Sequence, residues 1–335
     1  MKIAVLGAGA MGSLFACYLS KNYEVFLIDH KIEKIDKINK DGVELIENDN
    51  SSHLYNIPAY MYDENLPKPD IIFSFVKSIK NMEALNNISH LISDDTILVS
   101  LQNGYGNDKD LEMFQDKSHV VIGSTTHGST ILSYGKVFHA GSGKSFLGEN
   151  DFNKGSLNIV KNVLIDSSFD LEISQNIEKL MIEKLFINIG INAITALADK
   201  ENSCIYKNSY AKKMSKLLVS EACQVFNMYG YDFDKEEIFD RVIETSKKTG
   251  KNTSSMRADL LKKNESEIDK INRVIVDKAM AKGMTCPYNE AITLLIKAKE
   301  GNIWKRKCLY WILKSTRKRR ESLLMLLPTI ILWHL

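Results

Sequence analysis

The chain has 335 residues, of which 44% are hydrophobic and 26% charged, a composition that excludes disordered and fibrous classes and fits a globular protein. The five cysteines are scattered without a CxxC pair or a His/Cys cluster, which argues against a structural zinc site or a disulfide framework and favours a reducing compartment. The net charge is +2, but residues 301–335 hold eight Lys/Arg and one Glu, leaving residues 1–300 with 36 basic and 41 acidic side chains. A mildly acidic body gives no reason to expect a nucleic-acid partner.

The first residues predict the compartment of the protein, and the distribution of apolar residues predicts whether it spans a membrane. The opening segment (MKIAVL) has the composition of a strand rather than of a signal peptide, so we expect a cytoplasmic protein. No uninterrupted apolar run reaches the roughly 18–20 residues needed to cross a bilayer, so we expect no membrane span.

A glycine motif, GAGAMG, follows the opening strand at once. A helical stretch (SLFACYLSKN) and a second strand (YEVFLI) come next, which is the strand–turn–helix–strand context of a dinucleotide-binding loop. Gly7 permits the tight turn, Gly9 lets a pyrophosphate approach the backbone, and Gly12 lets the helix pack closely on the strand. Free N–H groups at the helix start attract the phosphates, so Ala10 and Met11 join the predicted cofactor-binding residues.

The second strand ends at Asp29, which is followed by His30 and Lys31. A carboxylate at this position accepts hydrogen bonds from an adenosine ribose and repels a 2′-phosphate, which favours NAD(H). Lys31 favours the opposite preference, because a basic side chain there would bind that phosphate. The alternative for Asp29 is a helix N-cap or a turn residue.

The α/β alternation continues through further strands. Buried-type strands at residues 70–76 and 96–101 lead to Lys77 and Asn103, and a shorter one (HVVI) leads into GSTTHG. Because ligands of open α/β sheets bind beyond the carboxyl ends of the strands, Lys77 and Asn103 are candidate contact residues. The alternatives are a surface lysine and a turn-forming Asn-Gly.

These elements predict an α/β N-terminal Rossmann-type dinucleotide-binding domain over residues 1–170, followed by an all-α domain over residues 171–300. Residues 134–148 are predicted to form the hairpin that closes the first domain. The second domain is predicted to be helical throughout, with no strand after the helix that opens it. Residues 301–335 are basic and then apolar, and we expect an unstructured tail or the product of a shifted reading frame rather than a membrane anchor.

One predicted helix, residues 176–200, is apolar on most of its circumference and should be buried. Lys184, Asn188 and Asn192 are spaced four apart on it, and each such step turns only about 40° around the helix. They therefore form a polar stripe. Burying an unpaired amide costs about 1–3 kcal/mol and a lone ammonium more, so the stripe needs partners. A polar ligand would supply them, and so would a carboxylate with buried water.

Several of these stretches resemble one family, the ketopantoate reductases (2-dehydropantoate 2-reductases), two-domain NADPH-dependent enzymes of pantothenate synthesis. The resemblance covers about residues 1–300. It rests on GAGAMG, on FVK ending at Lys77, on QNG around Asn103, on the helix K-x3-N-x3-N-x2-TA, and on the pair SSM…SEID with Ser255 and Glu267. The last two features, at their mutual spacing, are the most specific.

The resemblance implies a role for each matching residue. Lys184 would be the catalytic general acid and Lys77 would contact the cofactor. The substrate pocket would be lined by Asn103, Asn188, Asn192, Ser255 and Glu267. It further implies a small 2-keto acid as substrate, a monomer or homodimer, and NADP(H) as cofactor. The family's NADPH users usually have an Arg after the second strand, whereas this chain has Asp29, which makes NAD(H) plausible or preferred.

The leading hypothesis is therefore NAD(P)H-dependent reduction of 2-dehydropantoate to (R)-pantoate. A D-2-hydroxyacid dehydrogenase that uses NADH and another branched 2-keto acid is the close alternative, because the carboxylate and ketone are common to all such substrates. A nucleotide-sensing protein that has lost catalysis is the distant alternative, and the presence of both Lys184 and Glu267 argues against it.

Overall fold

The computed structural model describes residues 1–301; most of the predicted tail, residues 302–335, lies outside the described residues. The chain divides into two compact units, Met1–Leu185 and Phe186 onward. The strand nearest the boundary predicted after residue 170, Leu171–Ser174, belongs to the sheet of the first unit, and the division falls within the long helix that follows.

The strands of the described chain all belong to the first unit. They are β1 (Lys2–Leu6), β2 (Glu24–Ile28), β3 (Val43–Ile46), β4 (Ser52–Tyr55), β5 (Ala59–Tyr60), β6 (Ile71–Ser74), β7 (Ile97–Ser100), β8 (Val120–Thr125), β9 (Gly128–Ser133), β10 (Lys136–Gly141), β11 (Ser145–Gly148) and β12 (Leu171–Ser174). Eight form one sheet in the order β12-β11-β8-β7-β6-β1-β2-β5, and four form a second sheet in the order β4-β3-β10-β9. In the large sheet, every neighbouring pair from β8 to β5 is parallel.

Helices connect these strands and make up the second unit. They are α1 (Ala10–Leu19), α2 (Ile32–Asp41), α3 (Asn81–Asn87), α4 (Asn107–Glu112), α5 (Lys154–Asp166), α6 (Ile177–Ala198), α7 (Cys204–Lys207), α8 (Ser209–Asn227), α9 (Lys235–Lys248), α10 (Ser255–Leu261), α11 (Val274–Met280) and α12 (287–301). A π-helical turn, Asp269–Arg273, precedes α11. No strand lies between residues 176 and 301, so the predicted fold class is confirmed over the described chain.

The large sheet has a core on each face. Along β1, Ile3 and Val5 belong to the cluster that includes α1 and α5, whereas Ala4 and Leu6 belong to the cluster that includes α3. Successive side chains of a strand point to opposite faces, so a strand covered on both sides has to be apolar throughout. This explains why β1 and its neighbours are continuous apolar runs in the sequence.

The prediction of a hairpin at residues 134–148 is wrong. The hairpin is formed by β9 and β10, which pair antiparallel around Gly135 at φ +74°, a conformation that favours glycine in a tight turn. Past Gly141 the chain changes sheets, and β11 pairs with β8 and β12 of the large sheet. The second sheet to which β10 belongs depends on pairing with the distant β3, which local turn residues do not indicate.

α6 is long and apolar enough to cross a bilayer, but most of its apolar stretch is buried in protein, as in the core helix of a globular fold. In the second unit it contributes Phe186, whose ring packs edge-on against Phe226 at 5.6 Å and Phe233 at 4.9 Å between centroids. Its burial is as predicted.

Candidate active site

The glycine loop joins β1 to α1 as predicted. Gly7 has φ +102°, where only glycine is unstrained, and a Cβ on Gly12 would lie 1.9 Å from the carbonyl oxygen of Gly7. A Cβ on Gly9 would meet nothing within 4 Å, so the space in front of this residue is open. Ala10 and Met11 begin α1, whose first N–H groups have no partner within the helix. The loop therefore combines open space in front of Gly9 with the N–H groups of a helix start, the two features by which such loops bind phosphates.

Asp29, immediately after β2, is buried at 3% exposure and is already hydrogen-bonded. Its Oδ2 accepts from the backbone N–H of Ala8, at 3.0 Å, and from the ammonium of Lys34, at 2.5 Å. Its Oδ1 accepts from the backbone N–H of Lys31 at 3.2 Å. Burial and the nearby Asp29 carboxylate together raise the pKa of Tyr62. The carboxylate thus holds the glycine loop and pairs with a lysine that our sequence reasoning missed.

Lys31 lies on the surface and precedes α2, whereas Lys34 lies in the first turn of that helix with 8% exposure. The helical pattern of IEKIDKINK predicts α2 but does not indicate that Lys34 lies against Asp29. The only available signal was a lysine one helical turn after Lys31.

Lys77 and Asn103 follow β6 and β7 by three residues each. Gln102, which is buried, ties the two segments together, since its Nε2 donates to the carbonyl of Val76 at 2.6 Å and its Oε1 accepts from Ser100 at 2.7 Å. Asn103 is exposed and its carbonyl accepts from the side chain of Asn107 at 3.2 Å. The QNG motif therefore has a structural glutamine beside the exposed asparagine.

Lys184, on α6, lies at the carboxyl end of β8. Its Nζ donates to the hydroxyl of Ser124 at 3.1 Å and to the carbonyl oxygen of Thr125 at 2.9 Å. Both acceptors are buried. Sequence reasoning identified Lys184 but not these partners, which lie about 60 residues away in the chain.

Because β1, β6, β7 and β8 run parallel, their carboxyl ends lie along one edge of the sheet. That edge carries the glycine loop, Lys77, Asn103 and the Ser124–Thr125 segment that holds Lys184. The first unit thus brings together a dinucleotide cradle and a positioned ammonium. Among residues 1–301, no group of three or more His, Cys, Asp or Glu side chains is arranged to hold a metal ion.

The second unit brings Asn192 and Ser255 together. Asn192 is 6% exposed, and its Nδ2 lies 3.5 Å from the hydroxyl of Ser255 at the start of α10. One turn further along α6, Thr195 Oγ1 is 2.7 Å from the hydroxyl of Ser254, which caps α10 by accepting from the N–H of Arg257. These contacts hold α10 against α6.

Asn188 is partly buried on the same helix, four residues before Asn192, so these two amides lie on one face of α6 in the second unit. Glu267 is partly buried just before the π-helical turn, and the backbone N–H of the preceding Ser266 donates to the buried carboxylate of Glu300 at 2.8 Å.

Comparison with known proteins agrees with this arrangement. The family model described as ketopantoate reductase PanE/ApbA matches residues 3–151, and the model of the C-terminal part of the same family matches residues 176–300. The chain belongs to the ketopantoate reductase family. The resemblance seen in the sequence is confirmed.

Similar proteins and solved structures cover about nine tenths of the chain. A 2-dehydropantoate 2-reductase of Pyrococcus abyssi is 30% identical over 301 residues, which are 90% of this chain and 98% of the relative. A ternary structure of D-mandelate dehydrogenase with NADH and anilino(oxo)acetate has a TM-score of 0.85 and 29% identity, covering 90% of this chain and 99% of the other. A 2-dehydropantoate 2-reductase of Geobacter metallireducens, at TM-score 0.81 and 22% identity over 89% of this chain and 99% of the other, has the same fold.

Proposed function

We propose that this chain is an NAD(P)H-dependent 2-dehydropantoate 2-reductase, which reduces the C2 ketone of its substrate to the alcohol of (R)-pantoate. One observation carries the proposal: the ammonium of Lys184 is held by Ser124 and Thr125 at the same sheet edge as the glycine loop. Family membership and the 2-dehydropantoate 2-reductase of Pyrococcus abyssi support the same reaction.

The glycine loop fits a dinucleotide. The open space in front of Gly9 and the start of α1 are suited to a pyrophosphate, and Lys77 and Asn103 extend from the same edge. When bound, a reduced nicotinamide dinucleotide supplies the hydride. We assign the binding to Gly7, Gly9, Ala10, Met11 and Gly12, with Lys77 and Asn103 as further contacts.

Lys184 is assigned as the general acid. The Ser124 hydroxyl and the Thr125 carbonyl both accept from the ammonium and orient it. As the C2 carbonyl of a 2-keto acid is reduced, negative charge develops on its oxygen, and an ammonium stabilises that charge and delivers the proton. Such a group contributes about 10²–10⁴-fold to the rate.

The substrate contacts are assigned to Asn103, Asn188, Asn192, Ser255 and Glu267. The long 3.5 Å distance from Asn192 Nδ2 to Ser255 Oγ leaves both groups able to bind a carboxylate more strongly than they bind each other. Glu267 is suited to accept a hydrogen bond from a substrate hydroxyl. The Glu300 carboxylate supports this role, because it anchors the backbone immediately before Glu267.

The contacts of Asp29 bear on the choice between NADP(H) and NAD(H). Lys34 offsets its charge and the loop N–H of Ala8 uses the same oxygen, so Asp29 is less able to bind ribose or to repel a 2′-phosphate than its sequence position suggests. We infer that both cofactors are used and that Lys34, more than Lys31, sets the balance.

A D-2-hydroxyacid dehydrogenase remains the second candidate, and the TM-score of 0.85 to D-mandelate dehydrogenase with NADH favours it. Steady-state oxidation of NADPH and NADH with 2-dehydropantoate, 2-ketoisovalerate and phenylglyoxylate separates the two. We expect the highest kcat/KM with 2-dehydropantoate, because of the three it alone has a hydroxyl for Glu267. A higher value with phenylglyoxylate would favour the second candidate, and no turnover with any of the three would refute both.

A further inference from the structure

A chain of polar side chains, formed by the buried His139 and three partly buried residues, lies next to the segment that holds Lys184. Oε2 of Glu47 is 2.7 Å from Nδ1 of His139, and Nε2 of His139 is 3.1 Å from Nδ1 of His127. The other carboxylate oxygen of Glu47 accepts from the hydroxyl of Tyr18 at 2.8 Å. His139 is 1% exposed. Nothing in the proposed reaction uses these four side chains.

The contacts define where the protons are. A carboxylate accepts hydrogen bonds, so Nδ1 of His139 carries the hydrogen that Glu47 receives. In the tautomer whose single hydrogen is on Nδ1, Nε2 of His139 is an acceptor, and Nδ1 of His127 is then the donor to it. Nε2 of His127 is left with a bare lone pair, and this atom is buried with no hydrogen-bond partner among the described residues.

The position of His127 connects this chain to Lys184. His127 is two residues after Thr125, whose carbonyl oxygen accepts from Lys184, and its backbone N–H donates to Thr125 Oγ1 at 3.3 Å. The ring of His127 packs edge-on against Phe169 at 5.5 Å and Phe15 of α1 at 6.3 Å. The imidazole therefore fixes the turn after β8 against the helix of the glycine loop.

We propose that His127 and His139 are positioning residues for Lys184: the Glu47–His139–His127 chain holds the turn after β8 so that Thr125 presents its carbonyl to the ammonium, and proton uptake at His127 releases that turn. The proposal rests on the assignment of Lys184 in the proposed function.

Proton uptake is costly in this place. Burial lowers the pKa of His127, and so does the neighbouring His139, whereas the carboxylates of Asp170 and Glu47 raise it. Tyr18 faces the chain through Glu47 but is neutral in this pH range, since burial and Glu47 raise its pKa. A proton on Nε2 of His127 would put a positive charge on a partly buried ring and a buried N–H without an acceptor among the described residues. Moving the turn towards water relieves both costs and withdraws the Thr125 carbonyl from Lys184.

The test compares two substitutions of His127. In His127→Asn the amide Nδ2 takes the place of Nδ1 and keeps the donor to His139 without a titrating group, whereas His127→Leu removes the donor. The exposed His90, changed to Asn, is the matched control. The measurement is kcat and the cofactor KM from about pH 5 to pH 8, the range in which histidines titrate.

We expect wild type and His90→Asn to lose kcat together as the pH falls, and His127→Asn to keep its kcat over the same range. His127→Leu should have a kcat about 10–100-fold lower at every pH with an unchanged cofactor KM, the scale of loss that a small misplacement of a reacting group causes. The proposal would be overturned if His127→Asn lost kcat at low pH as the wild type does, or if His127→Leu had a normal kcat. If His127→Leu does not fold, the pH dependence of kcat in His127→Asn tests the proposal alone.

A second measurement does not depend on turnover. In the full chain labelled with ¹⁵N-histidine, both His127 and His139 should show the Nδ1–H tautomer at pH 7.5, with His127→Asn used for assignment. An Nε2–H tautomer on His127 would refute the chain of hydrogen bonds. The tautomers expected here, found in a protein that reduces no 2-keto acid, would refute the proposed function instead.

Discussion

The ammonium of Lys34 lies 2.5 Å from Oδ2 of Asp29, and both side chains are buried. The same carboxylate oxygen accepts the backbone N–H of Ala8 in the glycine loop. A charge taken out of water in this way depends on its partner, and removing one partner of a buried pair costs about 3–5 kcal/mol. Asp29, which the sequence predicts to contact the cofactor ribose, therefore also has a structural role.

Lys34→Met should change both stability and cofactor preference. It leaves Asp29 buried without its cation, so the melting temperature falls, and the uncompensated carboxylate repels a 2′-phosphate, so kcat/KM for NADPH falls relative to NADH. Lys31→Met is the matched control on the exposed residue three positions earlier and should alter both quantities much less. If Lys31→Met changed the ratio of kcat/KM for NADPH to that for NADH more than Lys34→Met did, Lys31 would be the residue that sets the cofactor preference.

The pair of Asp29 and Lys34 also shows which features of the site the sequence does not predict. The glycine loop, the residues at the strand ends and the spacing of Lys184 and Asn192 are local patterns, and the structure has the corresponding elements. The direction of the Lys34 side chain, and the pairing of Lys184 with Thr125, depend on contacts between distant segments that no periodicity encodes. The misassigned hairpin has the same origin, because β10 pairs with β9 and with the distant β3 rather than with β11, the strand that follows it.

Lys184→Ala should lose turnover by about 10²-fold or more, because the general acid is removed. Lys179→Ala, which changes an exposed lysine on the same helix, is the matched control and should keep normal turnover. Ser124→Ala removes one oxygen that accepts from the ammonium and should lower kcat by a smaller factor. Near-normal turnover of a folded Lys184→Ala variant would remove this residue from the mechanism.

Ser255→Ala and Ser254→Ala should have different effects on the substrate KM and on stability, although the two residues are adjacent. Ser255 is exposed and faces Asn192, so its loss should raise the substrate KM with little change in melting temperature. Asn192→Ala should likewise raise the KM. Ser254 caps α10 and bonds to Thr195, so its loss should cost about 0.5–2 kcal/mol of stability. An unchanged KM in both Ser255→Ala and Asn192→Ala would place the substrate elsewhere.

Folding stability should fall as the pH is lowered through the range in which His127 titrates. Burial lowers the pKa of His127 in the folded chain below its ordinary value of 6.5. Below pH 6.5 the unfolded chain therefore takes up a proton that the folded chain does not, which favours unfolding until the lowered pKa is passed. Urea unfolding at pH 7.5 and pH 5.5 measures the difference, which should be smaller in His127→Asn and unchanged in His90→Asn. An equal pH dependence in all three proteins would mean that His127 does not contribute.

Two truncations at the C-terminus should have opposite outcomes. A chain that ends at Gly301 keeps Glu300, whose buried carboxylate accepts the N–H of Ser266 beside Glu267, and should retain its activity and melting temperature. A chain that ends at Lys299 leaves that N–H buried without an acceptor, at a cost of about 1–3 kcal/mol, and frees the segment that carries Glu267. We expect a lower melting temperature and a higher substrate KM, and Glu300→Ala in the full chain should reproduce both. Equal behaviour of the two truncated chains would show that Glu300 anchors nothing that the substrate needs, and loss of active protein in the longer one would show that residues 302–335 pack onto the body.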